Sequence, residues 1–287
     1  EMYFMENTNI TRSVAPTLAS IRLGDAHLKV GHDGSSVKTC RTLLNNKGYS
    51  CNTNSTIYDD SLKSLVAKFQ AAFGLKNDGY LGQATLAVLE DTQSDTGWFS
   101  NGTVNITAGK LARMGFGKQV LKPANVQKLN AACNSYGINS KTKVRHFLAQ
   151  GMAETDQGKT FTEYVYRPGD TSKYTQYAPF CGAGFIQLTW SHTYSAFRTY
   201  MKSNKNIDDS KITVPAEYAT QHVADTYPFE SAGWFWHVYK DLNSKIVEWA
   251  SLSAADTVKN VTAVVKGSSA GYETRLSYYE KAKTIFK

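Results

Sequence analysis

Apolar residues return at helical intervals along most of the chain, and polar, glycine-containing turns interrupt them. In residues 32–50, Val37, Leu43 and Leu44 follow a Gly-containing turn at helical spacing, and Asn45 and Gly48 mark the stop. Leu62, Leu65, Val66, Phe69 and Phe73 form one stripe over about 59–73, with Asp59 or Asp60 placed to cap it. After the turn Lys76-Asn77-Asp78-Gly79, a third short helix is predicted over about 83–89. The pattern therefore predicts a small three-helix domain over residues 31–91, preceded by a lead-in over 1–30. Its core is small, and such a size suits binding better than chemistry.

Residues 92–105 are polar and turn-rich and read as a linker, although Trp98 and Phe99 give part of it something to dock with. From Ile106 to the end the pattern is again mainly helical. One amphipathic helix carries Val126, Leu129, Asn130 and Cys133 and ends near Tyr136-Gly137; another runs from about Lys141 through Val144, Phe147, Leu148 and Met152. Residues 227–249, rich in Trp, Phe and Tyr, read as helices around a large core or groove, and a last helix spans about 272–286. The expected fold is mainly α, with the small domain followed by a larger helical domain over 106–287. No repeat, βαβ alternation or phosphate loop is found.

Composition narrows the function. The chain has 287 residues and a formal charge of +8. Residues 1–95 carry about −1 of this and the remainder about +9, so the large domain is the basic one. A basic body suits any polyanion, nucleic acid and anionic wall polymers alike; with no basic recognition helix and no dense Lys/Arg run, nucleic acid is not expected. No stretch approaches eighteen apolar residues, so no membrane span is expected. The start EMYFMENTNITRS lacks the basic-then-apolar layout of a signal peptide, which fits holin-dependent release of the phage type, another export route and a trimmed chain equally. Cys40 and Cys51 are close enough in sequence to pair in an oxidising medium, but four cysteines are too few to staple this chain, which is expected to fold reduced. Cysteine and histidine spacing gives no zinc pattern, and neither metal nor organic cofactor is implied.

The stretch RHFLAQGMAETDQGKTFTEYVY, residues 145–166, concentrates the candidate chemistry. Glu154 ends a helix just before Asp156-Gln157-Gly158, where the negative end of the dipole disfavours its charged form, as a general acid requires. Glu163 follows nine residues later. An unbroken helix would hold the two about 13.5 Å apart, too far for most glycoside chemistry, but the glycine break lets the chain fold back. Further on, GAGFIQLTW (182–190) reads as a glycine turn into an extended wall bearing Gln187 and Thr189 as hydrogen-bonding groups.

Two resemblances give these pieces an order. GSSVKTCRTLLNNKGY followed by VAKFQAAFGLKNDGYLGQATLAVL resembles the peptidoglycan-binding domain family, most closely at Phe69, Gln70, Gly74, Leu75, Asp78, Gly79, Gly82 and Thr85; Cys40 and its neighbours depart from the family's Leu-Gln pair. Residues 105–285 resemble glycoside hydrolase family 19, the chitinase and endolysin family of lysozyme-like folds. FLAQGMAE at 147–154 matches its first motif and places Glu154 as the acid, and Glu163-Tyr164 matches the second glutamate of its compact endolysin branch. In GAGFIQLTW, Thr189 matches the hydroxyl that holds the attacking water and Gln187 a sugar-binding or scaffold residue. FESAGWFWHVYKDLN at 229–243 offers Trp234 and Trp236 as stacking platforms, at least one of them expected in the core. Arg275 matches an arginine bracing the catalytic side of the groove.

The sequence departs from that family at Ala153 (His), Ala183 (Arg), Thr193 (a substrate-binding Asn), Lys266 (Asn) and Ser268 (Gly). These changes fit a substrate other than plain chitin. The resemblances thus imply a peptidoglycan hydrolase acting at the bacterial cell wall, most simply an inverting muramidase, and a monomer is expected. Its acid is Glu154, its base Glu163, its water-holding hydroxyl Thr189, and its substrate contacts Gln187, Tyr164, Thr193, Trp234, Trp236 and Arg275. A chitinase or N-acetylglucosaminidase of the same fold, and a non-catalytic wall-binding protein, are the alternatives.

Overall fold

The computed structural model describes residues 11–173 and 175–287, so residues 1–10 of the expected lead-in lie outside the described residues. The fold is mainly helical. The first unit holds α1 (Leu18–Arg22), α2 (Ser35–Asn46), α3 (Asp60–Ala72) and α4 (Gln83–Glu90). The expected stripes form its core: Val37, Cys40 and Leu44 from α2 meet Leu62, Val66 and Phe69 from α3 and Leu86 and Leu89 from α4. Of the two candidate caps, Asp59 accepts from the Leu62 N–H at 2.7 Å.

Residues 11–30 fold onto this unit. β1 (Ser13–Val14) pairs in parallel with β2 (His32–Asp33), Ile21 of α1 is fully buried, and Leu28 bridges Leu81. Cys40 and Cys51 are both free thiols. Burial pushes the Cys40 thiol up to about 12, so it remains protonated at neutral pH.

The linker carries a short hairpin, β3 (Phe99–Ser100) and β4 (Thr103–Val104), and Trp98 is fully buried with its ring edge-on to Phe286 at 5.2 Å. The large unit follows with α5 (Ala108–Met114), α6 (Lys118–Leu121), α7 (Pro123–Ser135), α8 (Lys141–Glu154), α9 (Ser191–Lys205), α10 (Ala216–Thr226), α11 (Glu230–Trp234), α12 (Leu242–Glu248), α13 (Ala254–Lys266) and α14 (Tyr272–Ile285). α8 runs through its centre, packed by α13 and α14. Phe147 on α8 meets Phe185 at 5.2 Å and Trp236 edge-on at 5.2 Å, and aromatic pairs at these separations add about 0.5–1.5 kcal/mol each to the burial itself.

The two units share one continuous buried cluster. α4 lies against α5, where a side chain at Gly109 would place its β-carbon 2.5 Å from that of Asp91. Thr107 Oγ1 donates to Asp91 Oδ2 at 2.8 Å, and Lys118 meets Asp25 at 2.7 Å. Among the described residues, no helix is long and apolar enough to cross a membrane.

Candidate active site

Helix α8 positions the first carboxylate. Ser140 caps its start, accepting from the Lys143 N–H at 3.3 Å, and the fully buried Gln150 ties its middle to α13 by donating to Thr262 Oγ1 at 3.2 Å. Gly151 lets the Phe185 ring pack against the helix, since a β-carbon there would lie 2.0 Å from that ring. One turn later α8 ends at Glu154. Asp156 and Gln157 then adopt left-handed φ of 46° and 59°, ahead of Gly158. The break expected from Asp-Gln-Gly is thus a run of left-handed residues. Thr155 stabilises it by accepting from the Gly158 N–H at 2.8 Å, and the turn is pinned to the start of α6, where the Gly117 N–H donates to the Gln157 carbonyl at 2.6 Å.

The chain then comes back as the edge of an irregular wall. Thr162 bridges Ala183, which bridges Leu188; the Glu163 N–H donates to the Gly182 carbonyl at 3.0 Å and the Gly184 N–H to the Phe161 carbonyl at 2.8 Å. The glycine-turned wall expected from GAGFIQLTW is this bridge pair, and Phe185 roots it on α8 beside Gly151. The fold-back therefore joins the segment bearing Glu163 to the helix that ends in Glu154.

The two carboxylates sit in different surroundings. The Glu154 side chain is 17% exposed and accepts from Arg275 Nη2. Burial raises its pKa, while Arg275 and, more weakly, Lys266 pull it down; burial is the larger effect, and the net direction is upward. Lys266, one of the departures noted in the sequence, thus places a cation in the field of the candidate acid. Glu163 has a polar shell instead: Tyr177 Oη donates to its Oε1 at 2.6 Å and the Gly182 N–H to its Oε2 at 3.1 Å. The Tyr177 hydroxyl is itself pushed up to about 12, by burial first and then by its bond to Glu163, so it stays a donor.

The remaining expected residues divide. Thr189 donates its hydroxyl hydrogen to the Gln187 carbonyl at 2.7 Å, which leaves the oxygen as an acceptor for a water. Gln187 has a left-handed φ of 53°, and its amide donates to the Gly184 carbonyl at 2.9 Å, so the side chain braces the wall. Tyr164 is 65% exposed, with its hydroxyl on Asp156 Oδ2 at 2.6 Å. Arg275 joins the site through Glu154. The stacking platforms need correction: Trp234 and Trp236 are 2% and 0% exposed, packed within the core, and present no face to a sugar. Thr193, at 4% exposure in the first turn of α9, is likewise buried.

Two residues were missed. Tyr177 lies in a loop without periodicity, and its bond to Glu163 spans fourteen positions that no local pattern connects. Trp190, quoted within the wall motif but given no role, is 39% exposed, has a left-handed φ of 76° and stands edge-on to Tyr177 at 5.4 Å. Both its left-handed backbone and its contact with Tyr177 exist only in the folded chain, so no local pattern pointed to it.

No curated protein matches the chain. Residues 33–89 match the family described as "Putative peptidoglycan binding domain", so α2, α3 and α4, with the Asp78-Gly79 turn between the last two, form a peptidoglycan-binding domain that associates the chain with the cell wall.

Proposed function

We propose that this chain is a peptidoglycan hydrolase of lysozyme-like fold that cuts the β-1,4 glycan backbone with inversion, as a muramidase. The observation that carries the reading is the contrast between the carboxylates: Glu154, partly buried beside Arg275, has its pKa raised by desolvation, and Glu163, on the wall rooted to the same helix, accepts hydrogen bonds on both oxygens. A carboxyl whose charged form is disfavoured by desolvation suits a general acid. Glu154 gives its proton to the leaving glycosidic oxygen, and Glu163 takes one from a water whose second hydrogen is accepted by Thr189 Oγ1. That water attacks the anomeric carbon from the opposite face. Arg275 orients the Glu154 carboxyl; a sugar that displaces water from the site strengthens the burial effect against it.

The experiment is digestion of purified peptidoglycan, borohydride reduction and mass analysis of the fragments, beside a chitin digest. A reduced MurNAc end is expected. A reduced GlcNAc end would move the activity to a glucosaminidase, and cleavage of chitin alone to a chitinase. One observation favours a different class: the Arg275–Glu154 pair works against protonation of the acid, as in a wall-binding protein that has lost turnover. That reading predicts sedimentation with peptidoglycan and no soluble product from either polymer.

A further inference from the structure

With Trp234 and Trp236 in the core, the candidate site lacks the stacking platforms that the sequence suggested. A different tryptophan stands beside Thr189. Of the five in the chain, Trp98 and Trp236 have no exposed surface, Trp234 has 2% and Trp249 is partly buried, whereas Trp190 is 39% exposed. Its backbone is held on both sides. The Trp190 N–H donates to the Phe180 carbonyl at 3.1 Å, and its own carbonyl accepts from the Thr193 and Tyr194 N–H groups at the start of α9, both at 3.1 Å. The fold therefore fixes where the indole leaves the wall.

The neighbours of that indole belong to the site. Tyr177 stands edge-on to it at 5.4 Å and donates its hydroxyl to Glu163 Oε1 at 2.6 Å. Thr189, the preceding residue, carries the hydroxyl left open to a water. His192, itself exposed, places its ring 6.2 Å from the indole at a tilt of 32° and widens the aromatic surface. A ring that served only to support Tyr177 would gain about 25 cal/mol for each Å² of apolar surface it buried further. This one leaves more than a third of its surface in water beside the candidate base. Its flat, wide, apolar shape matches the face of a pyranose, whose C–H groups lie across the ring while its hydroxyls and acetamide point out from the rim.

We propose that Trp190 is a saccharide-binding residue, stacking one N-acetylhexosamine of the glycan against the wall that bears Glu163. The inference rests on the hydrolytic reading of that wall and adds to it the residue that sets the register of the strand. Trp190 binds the sugar and takes no part in proton transfer, so its loss falls on KM.

The contact is read by ¹⁹F NMR of the full chain carrying 5-fluorotryptophan and Glu154→Gln, titrated with a GlcNAc-MurNAc tetrasaccharide so that turnover does not enter. Residues 33–89 contain no tryptophan, so no label lies in the peptidoglycan-binding domain. The Trp190 resonance, identified by its absence from Trp190→Phe, is expected to shift more than the other four. In the active chain, Trp190→Ala is expected to raise KM about tenfold with kcat within about threefold of wild type, and Trp190→Phe, which keeps a smaller aromatic face, to stay within about threefold in both. If Trp190→Ala misfolds, the resonance shift and the Trp190→Phe kinetics carry the test. Release of product with an unmoved Trp190 resonance would overturn the stacking contact and leave the hydrolytic reading standing. A fall in kcat with unchanged KM would overturn it too, reducing Trp190 to a support for Tyr177. A shifted resonance in a chain whose wild type releases no reducing ends would sink the hydrolytic reading and uphold the sugar contact.

Discussion

The Asp78-Gly79 turn of the small domain and the end of α8 in the large one both bury polar side chains, but in opposite conditions. At the turn, Gln70 is 1% exposed and fully used: it donates to the Tyr80 carbonyl at 2.8 Å and to Thr85 Oγ1 at 3.0 Å and accepts from the Gly79 N–H at 2.8 Å, while Tyr58 donates to the Gly79 carbonyl at 2.8 Å. At α8, the Gln150 Oε1 and Arg275 Nε atoms are buried without partners, Glu154 is partly buried with desolvation opposing its charge, and Asp156, Gln157, Gln187 and Trp190 all hold left-handed backbone. A satisfied network fixes one shape, whereas unmatched groups and strained backbone store free energy that folding alone gives no reason to retain. The first region is built to be rigid, and the second has the features that the proposed acid–base chemistry needs.

Substitutions that should separate the two roles test that division. The largest effect is expected at Glu154→Gln, which should lower muropeptide release by roughly 10²–10⁴-fold, the range of one general acid, with unchanged wall binding and far-UV circular dichroism. It also has a pH signature. Because the folded-state pKa of Glu154 lies above its ordinary 4.5, the stability contributed by the protonated form is full below about pH 4.5 and lost as pH rises through the folded value. The melting temperature of Glu154→Gln should therefore lack that decline, and wild-type activity should fall on the alkaline side as Glu154 ionises. Equal slopes of melting temperature against pH for the two proteins would show that Glu154 is not perturbed.

Gln70→Ala reverses the pattern. It orphans the Gly79 N–H and removes two donors from the turn, so chemical denaturation should report a loss of about 2–3 kcal/mol, with kcat on soluble glycan unchanged in the folded fraction. A variant as stable as the wild type would break the comparison from the small-domain side. Tyr177→Phe should have the smallest effect, about tenfold in kcat, because it removes one hydrogen bond to Glu163 and leaves the Gly182 N–H in place. Steady-state kinetics should place the loss in kcat rather than KM; a pure KM effect would make Tyr177 a substrate contact instead.

The helices were legible because their signal is local. The stripe of Leu62, Val66 and Phe69, the Asp59 cap and the stop after Glu154 need only neighbours within a few residues, and the peptidoglycan-binding pattern is a string of such short-range requirements. Residues 11–30 were not legible as part of the fold, since their elements are too short to show periodicity and are held by partners such as Leu81 far along the chain. The candidate site was legible as a set of residue types, with Glu154, Glu163 and Thr189 carried by motifs; at least one of Trp234 and Trp236 was expected in the core and both lie there, and Thr193, expected against substrate, is buried too.

Sequence by itself determined which residues are apolar at helical spacing, where glycines break the pattern, and hence the helical class and the identity of the matched domain. Tertiary structure alone decided which tryptophans are core, which tyrosine serves Glu163, and that Arg275 reaches Glu154 across 121 positions of chain. The physical reason is one of range. Helix formation is set by contacts three and four residues apart, whereas burial, and with it the pKa and hydrogen-bonding state of every site residue, is set by whatever distant segment the collapsed chain brings alongside.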